Sequence, residues 1–317
     1  MALLQVKNLH KKFRLGKTEF TAVNDVSFQI EKGKTFGLVG ESGCGKSTIA
    51  LSVMALQTVN SGKVLFNGQD ILELSKIKLR PLRRNIRMLF QNPEAVLNSG
   101  MTLKQVLLEE LEKEPELNKA EKALRITETI EQVGLREEHL KRYPPGLSTG
   151  EKQRAAIARA VITRPKFLLC DEPVASLDLS LKATIIDLLM DLQEKRELTY
   201  LYISHNLSLV RKISHQIGVM YMGYLVEEAP AEKFSVQDVL HPYSRLLLAS
   251  VPSTDPDAFS KILSEYPDVE PTRFEKGCPF RNRCPLYKEN PLKDCEEKQP
   301  VLITRDDGRK VACYQVD

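Results

Sequence analysis

Nowhere in these 317 residues does an apolar run approach the ~20 residues that a membrane-spanning helix needs. The opening Met1-Ala2-Leu3-Leu4-Gln5-Val6-Lys7 lacks the long apolar core of a secretory signal. Both absences lead us to expect a cytoplasmic chain; if it serves a membrane process, other chains cross the bilayer. A strong charge excess is also missing. The 46 basic and 42 acidic residues leave +4, too little without a clustered basic face to argue for a nucleic-acid partner. There is no internal repeat, no low-complexity tract and no long coiled coil. What is present is ordinary globular composition, 42% hydrophobic and 28% charged, in a chain long enough for a large α/β core with an appendage.

Cysteine is sparse and uneven. Cys44 and Cys170 sit in apolar core segments, where small buried packing residues are expected. Cys278, Cys284, Cys295 and Cys313 crowd the C-terminal end. In a reducing compartment such a group suggests metal before disulfide. The four are separated by five, ten and 17 residues, unlike the C-x2–4-C pairs of zinc sites. Two precede proline, a dipeptide also found in cluster-binding runs. The expectation is a structural [4Fe–4S] centre, with zinc, disulfides or free thiols as alternatives.

The hydrophobic pattern sets the organisation. Short strands are expected at Leu3–Val6, Thr21–Ile30 and Val64–Phe66, with turns at Glu31-Lys32-Gly33-Lys34 and Asn67-Gly68. Thr35–Val39 reads as a buried parallel strand leading into a glycine-rich loop, with a helix from Ser47 to about Leu56. Helices are expected over 103–112, 120–133 and 149–163. Strands follow at 166–170 and 198–203, separated by a helix over 180–195, and then a hairpin over 217–228. Alternation of strand and helix implies a mostly parallel sheet with helices on its faces. The block at about 96–164 reads as an inserted helical subdomain. Beyond about 230 a loop-rich extension begins, since eight of the 17 prolines lie past residue 250.

Two motifs carry chemistry. Gly40-Glu41-Ser42-Gly43-Cys44-Gly45-Lys46-Ser47, followed by Thr48, fits G-x-x-x-x-G-K-[ST]. Its glycines let backbone N–H groups turn inward around phosphate oxygens; Lys46 reaches the β- and γ-phosphates, and the Ser47 hydroxyl takes a Mg²⁺ position. A glycine turn that binds nothing is the bland reading, opposed by the strand before it and the helix after it. Phe167–Cys170 reads as a buried strand ending in Asp171-Glu172. Asp171 would hold Mg²⁺ through water, and Glu172 would act as general base. A solvated acidic turn before Pro173 is the alternative.

The remaining motifs discriminate among phosphate-loop proteins. Leu147-Ser148-Thr149-Gly150-Glu151 resembles the LSGGQ signature of ABC ATPases, Gln91 resembles their Q-loop, and Ser176-Leu177-Asp178 their D-loop. His205 resembles the switch histidine, and Phe13 the aromatic residue that stacks on adenine. Taken singly, Ser148-to-Glu151 is also a capping box. Gln91 could be a loop amide, His205 a surface or capping residue, and Phe13 a core residue. As an ordered set over residues 1–230, they resemble an ABC nucleotide-binding domain. The implied fold is α/β, a P-loop (RecA-like) mostly parallel sheet with an antiparallel β part, an inserted helical subdomain and a small C-terminal cysteine extension over 231–317.

That resemblance implies ATP and Mg²⁺ as cofactors, with Ser47, Gln91 and Asp171 serving the metal. It implies Glu172, His205 and Gln91 as catalytic residues, and Phe13 with Gly40, Ser42, Gly43, Cys44, Gly45, Lys46, Ser47 and Thr48 as the ATP site. Ser148, Gly150 and Glu151 would face ATP held by a partner subunit. Phe90–Asn98, Cys170–Asp178, His241-Pro242-Tyr243 and Gly277–Pro285 resemble oligopeptide and dipeptide importer ATPases, and specifically the second of their paired subunits. The implied partners are a second ATPase subunit, two membrane permeases and an extracytoplasmic binding protein, with no nucleic acid. The implied place is the cytoplasmic face of the membrane. A soluble ABC ATPase acting on DNA or ribosomes, or the same importer carrying nickel chelates or sugars, are the alternatives. The sequence departs from the family pattern at Asn92, Ser99-Gly100, Thr149 and Glu151, and in the long gap between Cys284 and Cys295.

Overall fold

The computed structural model describes residues 1–16, 18–250 and 261–316. Two compact units share the chain by interleaving. One comprises Met1–Leu4, Ile30–Thr35 and Phe66–Ile203; the other comprises Gln5–Gln29, Phe36–Leu65 and Ser204–Asp317.

In chain order, β1 (Ala2–Leu15) and β2 (Thr18–Glu31) are long strands; β1 continues well past the short run Leu3–Val6 read from the sequence, while β2 matches Thr21–Ile30 to within three residues. Along β2 burial alternates from Val26 to Glu31, which is how one face of a sheet meets a core while the other stays wet. β3 (Thr35–Val39) is buried at every position, as its unbroken apolar run requires. The helix after the glycine loop, α1, spans Lys46–Val53 and stops one turn earlier than expected. β4 (Ser61–Phe66) lies next to β1, in the run β2-β1-β4 of a four-stranded sheet. Asn67 and Gly68 follow with φ of 49° and 80°, the left-handed pair that a tight turn demands.

The first unit continues with the two-residue β5 (Gln69–Asp70), α2 (Lys76–Leu82) and β6 (Ile86–Leu89). Sequence periodicity missed α2 and β6. α2 carries three cations and Pro81, and β6 is only four residues long. Three helices follow: α3 (Leu103–Leu111), α4 (Lys119–Gln132) and α5 (Thr149–Val161). Each opens on a reciprocal capping box, formed by Thr102 with Gln105, Asn118 with Glu121, and Ser148 with Glu151. β7 (Phe167–Asp171), α6 (Leu179–Arg196) and β8 (Thr199–Ile203) complete the unit. β6, β7 and β8 are parallel neighbours, with Ile86 opposite Phe167 and Cys170 opposite Tyr202. Such strands are buried on both faces, which is why β7 and β8 read as continuous apolar runs.

The second unit resumes with α7 (Leu207–Ile213), β9 (Gln216–Tyr221), β10 (Tyr224–Pro230) and α8 (Pro242–Ala249). β3 runs parallel to β9, with Phe36 opposite Gln216 and Val39 opposite Val219. β9 and β10 form the expected hairpin through Met222-Gly223, whose φ values of 49° and 95° suit a primed two-residue turn. Two short strands, β11 (Ile303–Thr304) and β12 (Lys310–Val311), extend this sheet beyond β10. The described part of the region past 230 therefore holds several helices, among them Pro285–Glu289 and Lys293–Glu297, and two strands as well as loops; the loop-rich reading of 251–260 lies outside the described residues.

Candidate functional site

The expected residues divide between the two units. The second unit carries the glycine loop, Phe13, His205 and the four C-terminal cysteines. The first carries Gln91, the Ser148-to-Glu151 segment, Asp171, Glu172 and Asp178.

Backbone geometry explains the loop's glycines. Gly40 has φ of 151° and Gly45 has φ of 113°. A Cβ on Gly40 would lie 2.2 Å from the Met220 carbonyl oxygen, and one on Gly45 would lie 2.3 Å from that of Ala22. Ser42, Gly43 and Ser47 are exposed, while Cys44 and Lys46 are buried. The Lys46 ammonium donates to the carbonyls of Gly40 and Glu41 at 2.8 and 2.9 Å. It is therefore held across the mouth of the loop by acceptors that a phosphate can replace. Burial pushes the Cys44 thiol up, against the opposing pull of Lys46, so this cysteine is a packing residue rather than a nucleophile. The Cys44 carbonyl accepts from Gly223 at 2.8 Å, which ties the loop to the β9–β10 turn.

Phe13 stacks on Phe20 at 5.5 Å, with the Lys11 ammonium 4.8 Å from its ring centroid. It is half-buried, so part of the ring remains open to a planar ligand. His205 is exposed just beyond β8. The cap of α7 is the next residue, Asn206, which accepts from the Leu209 amide at 3.1 Å.

In the first unit, Asp171 and Glu172 end the buried β7 strand, and both are half-buried. Glu172 has a left-handed φ of 47°, a conformation unusual for a non-glycine residue, and its amide donates to Ile203 at 2.9 Å. The reversal turns Glu172 away from the strand's regular alternation, and the carbonyl of the following Pro173 is gripped by the Gln153 amide of α5 at 2.5 Å. Asp178 caps α6, accepting from Leu181 at 3.0 Å and Ser180 at 2.7 Å, and the Leu181 amide draws its carboxyl below the ordinary range.

Gln91 is exposed. Beside it, Asn92 accepts from the Glu94 amide at 2.9 Å and caps the short turn Pro93–Ala95. Asn therefore does the local work that an Asp at this position would do. Ser148 and Thr149 are exposed at the start of α5, and Gly150 is buried 3.1 Å, measured from a built Cβ, against Leu181. The Glu151 carboxylate turns back. One oxygen accepts from the Ser148 amide at 2.8 Å, and the other lies 3.0 Å from the His139 ring. The Ser148 amide, with His139 behind it, holds the Glu151 carboxyl below its ordinary value. His139 is a partner that sequence reasoning missed, because nothing in the local pattern links it to a residue 12 positions away.

All six cysteines are free. The C-terminal four line one small cavity with His241, Phe280 and Tyr314. Burial, reinforced by the neighbouring thiols, pushes Cys278 up to about 12 and Cys284 to about 11. Four sulfur donors on one cavity are the kind a metal centre takes, although each thiol would have to lose its proton on binding. Among the described residues, however, no three His, Cys, Asp or Glu side chains are arranged to hold a single ion.

Known proteins place this arrangement in a class. A bacterial ABC transporter cassette solved as a dimer matches with a TM-score of 0.65 at 26% identity, covering 72% of this chain and 98% of the other. CbiO1 of Clostridium perfringens, part of an ABC transporter complex, matches with a TM-score of 0.67 at 26% identity, covering 73% and 89%. The fold is that of an ABC ATP-binding cassette. The ABC transporter family matches residues 23–175, and the C-terminal region of oligopeptide/dipeptide transporters matches residues 226–290. The di/tripeptide transport ATP-binding protein DppF of Pseudomonas aeruginosa is 40% identical over 305 residues, covering 95% of this chain and 92% of the relative. The oligopeptide transport ATP-binding protein OppF of Bacillus subtilis is 45% identical over 257 residues, covering 80% and 84%. The chain belongs to the family of oligopeptide and dipeptide ABC transporter ATP-binding proteins.

Proposed function

We propose that this chain is the ATP-hydrolysing motor subunit of an importer for di- or oligopeptides. The observation that carries the reading is the glycine loop. It opens a helix, exposes Ser42, Gly43 and Ser47, and holds Lys46 on carbonyls that a phosphate group can displace. Residues Gly40 to Thr48 bind the phosphates, and Phe13 stacks on the base. Ser47, Gln91 and Asp171 are the Mg²⁺ residues. Glu172 activates the attacking water, and His205 contacts the γ-phosphate. Bound Mg²⁺ supplies charge neutralisation on the phosphate oxygens.

The family match at residues 226–290 favours peptides over nickel chelates or sugars. Among the described residues no helix is long and apolar enough to cross a membrane, so uptake requires permease subunits from other chains. The chain then works peripherally at the cytoplasmic face, paired with a second ATPase subunit and supplied by an extracytoplasmic binding protein. The start of α5, with Ser148 and Gly150, meets the nucleotide of that second subunit, the Glu151 carboxylate being turned back onto Ser148 and His139, and Asp178 is this chain's D-loop carboxylate. Co-purification of the tagged chain with two membrane proteins and a second ATPase supports this assembly; a chain that purifies alone from solubilised membranes contradicts it.

The same reading assigns the four C-terminal cysteines to a [4Fe–4S] centre rather than zinc. Four free thiols line one cavity, and their spacing of five, ten and 17 residues is unlike the C-x2–4-C pairs of zinc sites. Iron and acid-labile sulfide analysis after anaerobic purification is the test. Four irons and four sulfides per chain are expected, and protein free of iron with the same thermal unfolding midpoint contradicts the assignment.

A further inference from the structure

The C-terminal extension reaches back to the phosphate loop at one residue, Glu41. Its amide donates to the Tyr243 hydroxyl at 2.9 Å. Its carboxylate pairs with the Arg283 guanidinium, at 3.0 Å to one oxygen and 3.3 Å to the other. Its carbonyl accepts from Lys46 at 2.9 Å. The Glu41 peptide and side chain are thus held from three sides, and two of the holds come from residues 202 and 242 positions further along the chain.

Those two residues are themselves braced. Tyr243 is fully buried, with its ring 4.5 Å from Tyr221 and 5.5 Å from Phe280. Phe280 packs edge-on against Tyr221 at 5.2 Å and is also fully buried. The Arg283 guanidinium lies over the rings of Phe280 and Tyr221 at 5.7 and 5.9 Å. At the start of α8, the Tyr243 amide donates to His241 at 3.0 Å, and burial drops His241 to about 3, so its ring stays a neutral acceptor. The buried Glu227 carboxylate on β10 accepts the Leu240 and His241 amides at 2.8 and 2.9 Å. This is a rigid mount rather than a chance surface contact.

We propose that Tyr243 and Arg283 are positioning residues for nucleotide binding, which fix the phosphate loop through Glu41. The inference rests on the reading that this loop binds ATP phosphates. Its reason lies in what happens to Lys46. When the ammonium turns to a phosphate, it must give up the Gly40 and Glu41 carbonyls, and the loop loses its internal tie. Tyr243 and Arg283 then remain as the holds that keep Glu41, and the backbone N–H groups after it, in the shape that receives phosphate. A loop fixed in advance costs less to order on binding. Such a hold acts equally on bound substrate and transition state, so its loss raises KM and leaves kcat nearly unchanged.

The test uses the full chain in its assembled transporter, measuring kcat and KM for ATP hydrolysis. Tyr243→Phe removes the hydroxyl acceptor and keeps the ring packing; Arg283→Ala removes the ion pair; Arg283→Lys keeps the charge. We expect KM to rise about three- to tenfold in the first two, the range of one hydrogen bond or partly exposed ion pair, with kcat within about twofold. Arg283→Lys recovers most of the loss. Glu41→Ala raises KM like Arg283→Ala, and the double variant rises no further. Unchanged KM in both Tyr243→Phe and Arg283→Ala overturns the proposal. So does a loss confined to kcat, or a double variant in which the effects simply add. Lys46→Ala serves as the control for the underlying reading: if it leaves ATP affinity intact, the loop is not the phosphate site and the clamp falls with it. If only the clamp variants are silent, the clamp alone fails.

Discussion

Gly45 shows how tightly one residue can be specified. Its φ of 113° strains any L side chain, and a Cβ there would press on the Ala22 carbonyl at 2.3 Å. Gly45→Ala should therefore lower unfolding stability by about 2 kcal/mol or more, read by denaturant titration. Gly43 differs, because nothing lies within 4 Å of its built Cβ, so strain from its φ of 77° is the whole penalty. Its alanine variant should cost about 1 kcal/mol. Equal losses at the two positions would show that contact with the Ala22 carbonyl contributes nothing. Glu110 makes a different demand. It is buried on α3 between Arg87 of β6, Arg159 of α5 at 2.7 Å and Lys113 at 2.8 Å. Burial alone would raise its carboxyl, but Arg87 and the other two cations bring it below the ordinary value. A depressed carboxyl stabilises the fold above its unfolded value, near 4.3, and that gain is lost as pH falls through the lower folded value. Glu110→Gln should cost about 2–4 kcal/mol at pH 7, reduced from a fully buried pair because the cations are part-exposed, and its stability should fall less steeply below pH 4.3 than wild type. Parallel pH profiles would contradict that assignment.

Among the elements, α5 carries the most consequence. Its start was legible in the sequence, because Ser148 and Glu151 stand at capping-box spacing and the apolar pattern begins immediately after. β7 was legible from Phe167–Cys170, and the β9–β10 hairpin from the pattern over 217–228, though its Met222-Gly223 turn was not. α2 and β6 were not, since Pro81 sits inside α2 and β6 is too short to show a period. α7 hid behind His205, whose neighbour Asn206 is the true cap. By resemblance Glu151 would face a partner's nucleotide, where a carboxylate would set a negative charge beside a negatively charged ligand. In the fold that carboxylate is engaged by Ser148 and His139, leaving Thr149 as the exposed departure from a glycine-rich signature. In a complex whose other site is disabled by Glu172→Gln, Thr149→Gly should therefore raise the remaining hydrolysis about two- to fivefold, roughly the effect of 0.5–1 kcal/mol, while Glu151→Gln changes it little. A larger gain from Glu151→Gln would show that the carboxylate faces the nucleotide after all.

At the scale of the whole molecule, the glycine loop, the acidic strand end, and the order of Gln91, Ser148, Asp178 and His205 were legible because each motif is local. Tyr243 and Arg283 were visible only as parts of family-like segments, because their partner Glu41 lies more than 200 positions away and no local spacing encodes that contact. The two interleaved units were equally hidden, since chain order does not reveal which segments pack together. In the proposed function, ATP hydrolysis by this chain drives peptide uptake. The most direct measurement reconstitutes the transporter with its partners and follows ATP turnover and labelled-peptide uptake in the same vesicles, comparing wild type with Glu172→Gln. The variant is expected to bind ATP with wild-type affinity while its own site loses about 10²–10⁴-fold in turnover, and uptake should fall with it. Near-normal uptake or turnover from the Glu172→Gln site would contradict it.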